Sequence, residues 1–193
     1  MKDPANVRDS NALRATRAPA SGASNRPLLM VDIDGVISLF AGGDGQPEAA
    51  HAGVDGAKAG GFHSIEGIPH FLSATAAAHL LALSSDFELV WASGWEERAN
   101  DHLPHLLGLP EGIPFVRFDR AVGRTNSHWK LDAIEHYAAL RALAWVDDAL
   151  DSECRNWAER RAAPTLLVQT DPRKGLGERE VEVLMQWARG LAR

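Results

Sequence analysis

The sequence predicts an α/β fold built around a central parallel sheet of five strands, and three observations carry that expectation. From Pro27 onward, short apolar runs alternate with longer amphipathic stretches, the rhythm of βαβ units. Four of the five runs are apolar almost throughout, as strands covered on both faces require. Acidic and small polar residues follow these runs directly, at the sheet edge where open α/β folds gather their ligands.

The expected strands are residues 28–33, 87–92, 115–118, 142–146 and 165–169. Helices are expected between and after them. Residues 71–84 are rich in Ala and Leu, 96–107 are interrupted by Pro104, and 128–140 follow the capping candidates Asn126 and Ser127; 152–161 and 178–191 complete the set. Residues 38–67, dense in Gly and Ala and without a clear period, read as a long loop with room for a short hairpin.

A chain of 193 residues, 45% apolar and 24% charged, suits one globular domain with tails. Residues 1–26 carry five basic and two acidic side chains and almost no large apolar ones, so burial cannot offset their ordering entropy. They read as a disordered basic tail ahead of a domain spanning 27–193, with a mitochondrial-type targeting peptide as the weaker reading. No apolar run approaches the roughly 20 residues of a bilayer span, which excludes a membrane-spanning helix. The net charge of −6 argues against coating nucleic acid through global electrostatics, while leaving room for a local basic patch. The single cysteine, Cys154, forms neither a disulfide nor a CxxC or zinc motif, and the cytoplasm is the expected compartment.

The chemistry lies in the residues that close the apolar runs. Asp32, Asp34 and Gly35 follow the first in LLMVDIDGVI, Ser93 and Gly94 the second in ELVWASGW, and Asp147 and Asp148 the fourth in LAWVDDALD. Aspartate is a poor strand former and costly to bury, so two acids beside so apolar a strand call for compensation by a cation. Carboxylates without a thiolate pair suit Mg²⁺ rather than zinc. Asp32 is then both metal ligand and candidate nucleophile, attacking phosphorus to form an aspartyl-phosphate. Asp34 is placed to protonate the leaving oxygen and then to deprotonate water, while Lys130 and Ser93 stabilise phosphoryl oxygens. Gly35 permits a sharp turn beneath the site.

These residues resemble the four motifs of the haloacid dehalogenase (HAD) superfamily in the right order: DIDGV at 32–36, a strand ending in Ser93, Lys130, and the pair Asp147 and Asp148. The resemblance covers residues 27–192 and implies a three-layer Rossmann-like fold. It also implies Asp32 as nucleophile, Asp34 as acid/base, and Mg²⁺ held by the Asp32 side chain, the Asp34 carbonyl and Asp147, with Asp148 direct or through water. Superfamily dehalogenases lack the second aspartate of the first motif, so Asp34 favours phosphoryl transfer. The stretches VWASGW, AWVDD and PTLLVQTDPRKGL further resemble small HAD domains of bacterial RNA-repair proteins, which implies an RNA or DNA end as the phosphorylated substrate. No GxxxxGK[ST] kinase motif accompanies them.

Spacing bears on substrate size. The 59 positions from Asp34 to Ser93 and the 37 from Ser93 to Lys130 are about half filled by a helix and a strand, leaving no space for a large cap domain. A bulky substrate would then enclose the site, unless residues 38–67 act as a lid over a small metabolite.

Simpler roles compete at each position. A DxD after a strand suits a turn, Ser93 a helix cap, and Lys130 a solvated helix face. Asp148 and Asp151 divide between a ligand and the cap of the helix at Ser152. Trp91 and Trp145 read as core. Trp95 and Trp129 read as core packing or base-stacking platforms, and His63 and His70, near the loop over the site, as surface or core histidines ahead of groups that meet a leaving group. Arg117, Arg120, Arg124 and Lys130 oppose only Asp119, which is either a basic patch or a solvated face. A catalytically idle binding domain is the alternative function, one that complete catalytic motifs disfavour. Oligomeric state is open at this level.

Overall fold

The computed structural model describes residues 26–40, 60–118 and 126–191. Four parallel strands form the central sheet: β1 (Leu28–Val31), β5 (Glu88–Trp91), β6 (Leu143–Asp147) and β7 (Thr165–Gln169), in the order β5-β1-β6-β7. A second, antiparallel sheet joins β2 (Ser38–Leu39), β4 (Ile68–Leu72) and β3 (Gly61–Ile65) in the order β2-β4-β3. Five helices complete the fold: α1 (Ala74–Leu83), α2 (Arg98–Leu107), α3 (Leu131–Ala138), α4 (Ser152–Arg160) and α5 (Glu178–Leu191).

The period-two alternation of a strand explains the layering. In β1, Leu29 and Val31 join a core with side chains of α1, α2 and α5, whereas Leu28 and Met30 join a second core with Ile134 and Ala138 of α3 and Cys154 of α4. Helices therefore cover both faces, and the three-layer expectation holds. Trp91 and Trp145 are fully buried, one in each core.

Three elements depart from expectation. The third expected strand, 115–118, reduces to an isolated bridge between Phe115 and Trp91. Both available backbone bonds are made there, but the next paired donor, the Phe118 N–H, turns to the Glu96 carboxylate at 2.8 Å instead of to a strand. Residues 71 and 72 belong to β4 rather than to the following helix, because Ser73 caps α1 through a bond from the Ala76 N–H to its hydroxyl. Pro104 does not interrupt α2, which runs continuously to Leu107; a single proline removes only one donor from its ladder.

The short hairpin of the loop region is β3–β4. Its two-residue turn, Glu66–Gly67, has φ of 52° and 82°, the left-handed pair that matches strand twist in a tight hairpin. The rest of that insertion, residues 41–59, lies outside the described residues, as do 1–25 of the expected tail. Arg26, the last residue assigned to that tail, donates to the Ser84 carbonyl. Among the described residues no helix is long and apolar enough to cross a membrane.

Candidate active site

Strand register assembles the site. β1 and β6 are neighbours with Val31 opposite Val146, so the next residues, Asp32 and Asp147, emerge side by side at the carboxyl edge. The Asp32 N–H donates to the Val146 carbonyl at 3.0 Å, extending the ladder to the acid itself. Lys130, on a short 3-10 turn leading into α3, reaches between the two acids: its Nζ lies 2.8 Å from Asp32 Oδ2 and 2.7 Å from Asp147 Oδ2. Asp148 completes a group of three carboxylates, each offering an oxygen within 4.8 Å of the others.

Exposure separates the two central acids. The Asp147 side chain is 0% exposed, with Oδ1 accepting from the Ser127 hydroxyl and from the Ala149 N–H, whereas the Asp32 side chain retains 11% exposure. Of the pair, Asp32 faces the surface. Burial, opposed by Lys130 and reinforced by Asp147, pushes the Asp32 carboxyl up to about 7. Burial and the Asp147 charge push Asp148 up to about 6. Burial alone would lower Lys130, but the carboxylates of Asp32 and Asp147 outweigh it and raise its pKa.

Three clustered carboxylates against one ammonium leave excess negative charge in a poorly solvated place. An all-oxygen donor set of this kind fits a hard divalent cation such as Mg²⁺. A stability prediction follows from the signs. Because Asp32 binds its proton more tightly in the folded chain than at the ordinary value of 3.8, its contribution favours folding at low pH and falls as pH rises from about 4 to about 7. In EDTA, the urea midpoint should therefore be lower at pH 8 than at pH 5.5, with Mg²⁺ removing most of the difference. A midpoint that rises with pH in EDTA would contradict this.

Asp34 is held apart from the carboxylate group. Trp95 Nε1 donates to Asp34 Oδ2 at 3.0 Å, and His70 Nδ1 lies 3.9 Å from Asp34 Oδ1 while hydrogen-bonded to Ser38 Oγ at 2.8 Å. The turn between Asp32 and Asp34 and strand β2 depends on Gly35. Its φ is +73°, and a Cβ there would lie 2.4 Å from Asp148 Cγ, so any larger residue displaces a member of the acidic group. Thr170, just after β7, fastens this turn by donating its hydroxyl to the Gly35 carbonyl at 2.9 Å.

The structure thus brings Asp32, Lys130, Asp147 and Asp148 together and sets Asp34 beside them on its own hydrogen bonds. Ser93 is buried just after β5, where its Oγ accepts from the Trp95 N–H at 3.4 Å within a turn; it caps no helix, since α2 begins at Arg98 with Glu97 in the cap position. Asp151 is the cap of α4, accepting from the Cys154 N–H at 3.1 Å. Burial notwithstanding, that bond and the one to His128 hold Asp151 down at about 2. Asp148, not Asp151, therefore belongs to the carboxylate cluster.

Other assignments change. Ser127 caps no helix but donates to Asp147, and Trp95 is not an open stacking platform, being 8% exposed with its N–H spent on Asp34. Trp129 packs edge-on against Phe118 with ring centroids 4.8 Å apart and lies beneath the Lys130 ammonium. Arg117 sits 3.7 Å from Glu97, while Arg120 and Arg124 of the basic stretch lie outside the described residues. Of the two histidines near the loop, His70 lines the site beside Asp34, and His63 is its cross-strand partner. Only the fold reveals Thr170 and the partners of Ser127 and His70. Their residue types are common, and each comes from an element distant in sequence.

A parallel sheet wrapped by helices on both faces, with acids at the ends of β1 and β6 joined by a buried lysine, is the arrangement of a HAD-type domain. Residues 28–181 match the family described as the HAD domain in Swiss Army Knife RNA repair proteins, and the chain belongs to that family. Comparison with the curated proteins and with the solved structures returned no match.

Proposed function

We propose that this chain is a cytoplasmic, Mg²⁺-dependent phosphomonoesterase that works through an aspartyl-phosphate at Asp32 on the phosphorylated end of a nucleic acid. One observation carries the reading: Asp32, the more accessible of two acids bridged by a buried lysine, stands at the sheet edge with Asp34 separately held next to it. The family's RNA-repair description supports the choice of substrate.

In this mechanism an Asp32 carboxylate oxygen attacks phosphorus as the ester P–O bond breaks, and Asp34 gives its proton to the departing oxygen. Asp34, now ionised, takes a proton from water, which attacks the aspartyl-phosphate, releases inorganic phosphate and restores Asp32. The Lys130 ammonium and the Ser93 hydroxyl stabilise charge on the phosphoryl oxygens. The Asp32, Asp147 and Asp148 side chains, with the Asp34 carbonyl, would hold Mg²⁺, whose charge screens the carboxylates from the phosphoryl group.

The test is phosphate release from an aryl phosphate and from 3′- and 5′-phosphorylated RNA and DNA. Release should require Mg²⁺ and favour the polymers; absence of release from every member of that panel would overturn the reading in favour of an idle binding domain. Trp95→Phe should lower kcat about tenfold, the scale of one lost hydrogen bond to a charged group. The loss should be larger for an alkyl phosphate than for p-nitrophenyl phosphate, whose leaving group needs little protonation. Equal losses on both substrates would remove Trp95 as the residue positioning Asp34.

A further inference from the structure

Beyond Asp34 the site continues into a cleft of about 290 Å³, with Ile65, Ile68 and His70 of the β3–β4 hairpin on one side and Trp95, Arg98 and His102 on the other. The proton donor to the leaving oxygen stands in its wall, so the cleft is where the group attached to that oxygen lies. Its volume is just below the ~300–1,000 Å³ typical of ligand sites, the scale of one ring-bearing residue. Ile68, 59% exposed, offers open apolar surface, with Ile65 and the edge of the buried Trp95 behind it, which suits a heterocycle better than a fully hydroxylated sugar.

A second residue of a polymer would then have to lie outside, and the lining includes a cation that can meet it. Arg98 pairs with Glu66 at 2.8 Å, and both side chains are about half exposed, 50% and 52%. An ion pair that open contributes little, so a phosphodiester can replace Glu66 at little cost and accept from the guanidinium, whose other contact is a 3.4 Å bond to the Gly94 carbonyl.

We propose that this cleft binds the terminal nucleoside of a phosphorylated polynucleotide end, with Arg98 taking the adjoining phosphodiester. The inference rests on the phosphohydrolase reading of the site and is tested by binding, so the two can fail separately. The full-length Asp32→Asn chain, and the unmodified chain in EDTA, are titrated with single-stranded oligonucleotides bearing a 3′- or a 5′-phosphate, with a nucleoside monophosphate and with a phosphopeptide. Ile68→Glu should weaken both nucleotide ligands about tenfold or more, since it sets a carboxylate against them. Arg98→Glu should weaken the oligonucleotide about tenfold or more and the monophosphate far less. The preferred terminus, 3′ or 5′, identifies which ester oxygen faces Asp34. Oligonucleotide affinity unmoved by both variants, or a phosphopeptide bound more tightly than the oligonucleotide, would overturn the proposal. Failure of the unmodified chain to release phosphate with Mg²⁺ counts against the phosphohydrolase reading alone.

Discussion

Asp32→Asn is expected to reduce phosphate release by at least about 10⁴-fold, the scale on which removal of a nucleophile acts. The substitution is nearly isosteric. Its amide oxygen can still accept from the Ile33 N–H, which donates to Asp32 Oδ1 at 2.8 Å, so the backbone turn into the site is retained. What disappears is a charged oxygen able to bond phosphorus. Because the acid it replaces is costly to ionise in place, the metal-free variant should be at least as stable as the parent at pH 8. Phosphate release measured under saturating Mg²⁺, alongside urea unfolding, separates loss of chemistry from loss of fold. Turnover within tenfold of the parent would falsify the assignment of Asp32.

Lys130→Met has the largest expected effect on stability. Lys130 is 4% exposed and makes contacts of 2.8 Å and 2.7 Å with two buried carboxylates. Removing one partner of a buried ion pair leaves uncompensated charge and typically costs about 3–5 kcal/mol, although Asp32 can recover part of that by taking up a proton. The midpoint of urea unfolding in EDTA should fall accordingly at pH 8, and by less at pH 5.5, where Asp32 is protonated. Mg²⁺ should restore part of the stability by neutralising the same carboxylates. Activity should stay about 10²- to 10³-fold down, because the ammonium that stabilises the phosphoryl oxygens is gone. An unchanged midpoint in EDTA at pH 8 would mean that the carboxylates do not depend on Lys130 for compensation.

The core of the site is legible in the amino-acid sequence because its determinants are local. Asp32, Asp34 and Gly35 sit within four residues, and the two acids at 147 and 148 are adjacent. In a parallel sheet, residues that follow apolar strands share one edge wherever they fall in the chain. Strands β1, β5 and β6 are likewise readable, since burial on both faces writes a continuous apolar run, and the half-buried edge strand β7 keeps enough of that run to be read as well. Residues 115–118 carry the same signal without forming a strand. Apolarity reports burial, and the choice between a ladder and a side-chain partner is made by Glu96, 22 positions away.

Sequence alone therefore suffices for the layered fold, the acids at the strand ends and the pairing of DIDGV with the distant lysine. Three features come only with the folded chain: Asp148 rather than Asp151 joins the carboxylates, Ser127 serves Asp147 instead of a helix, and Trp95 and the β3–β4 hairpin frame Asp34. The difference is one of range. Strand burial and tight turns follow from neighbours a few residues apart, whereas a hydroxyl, an indole N–H or an imidazole takes its role from whatever folding brings within about 3 Å of it.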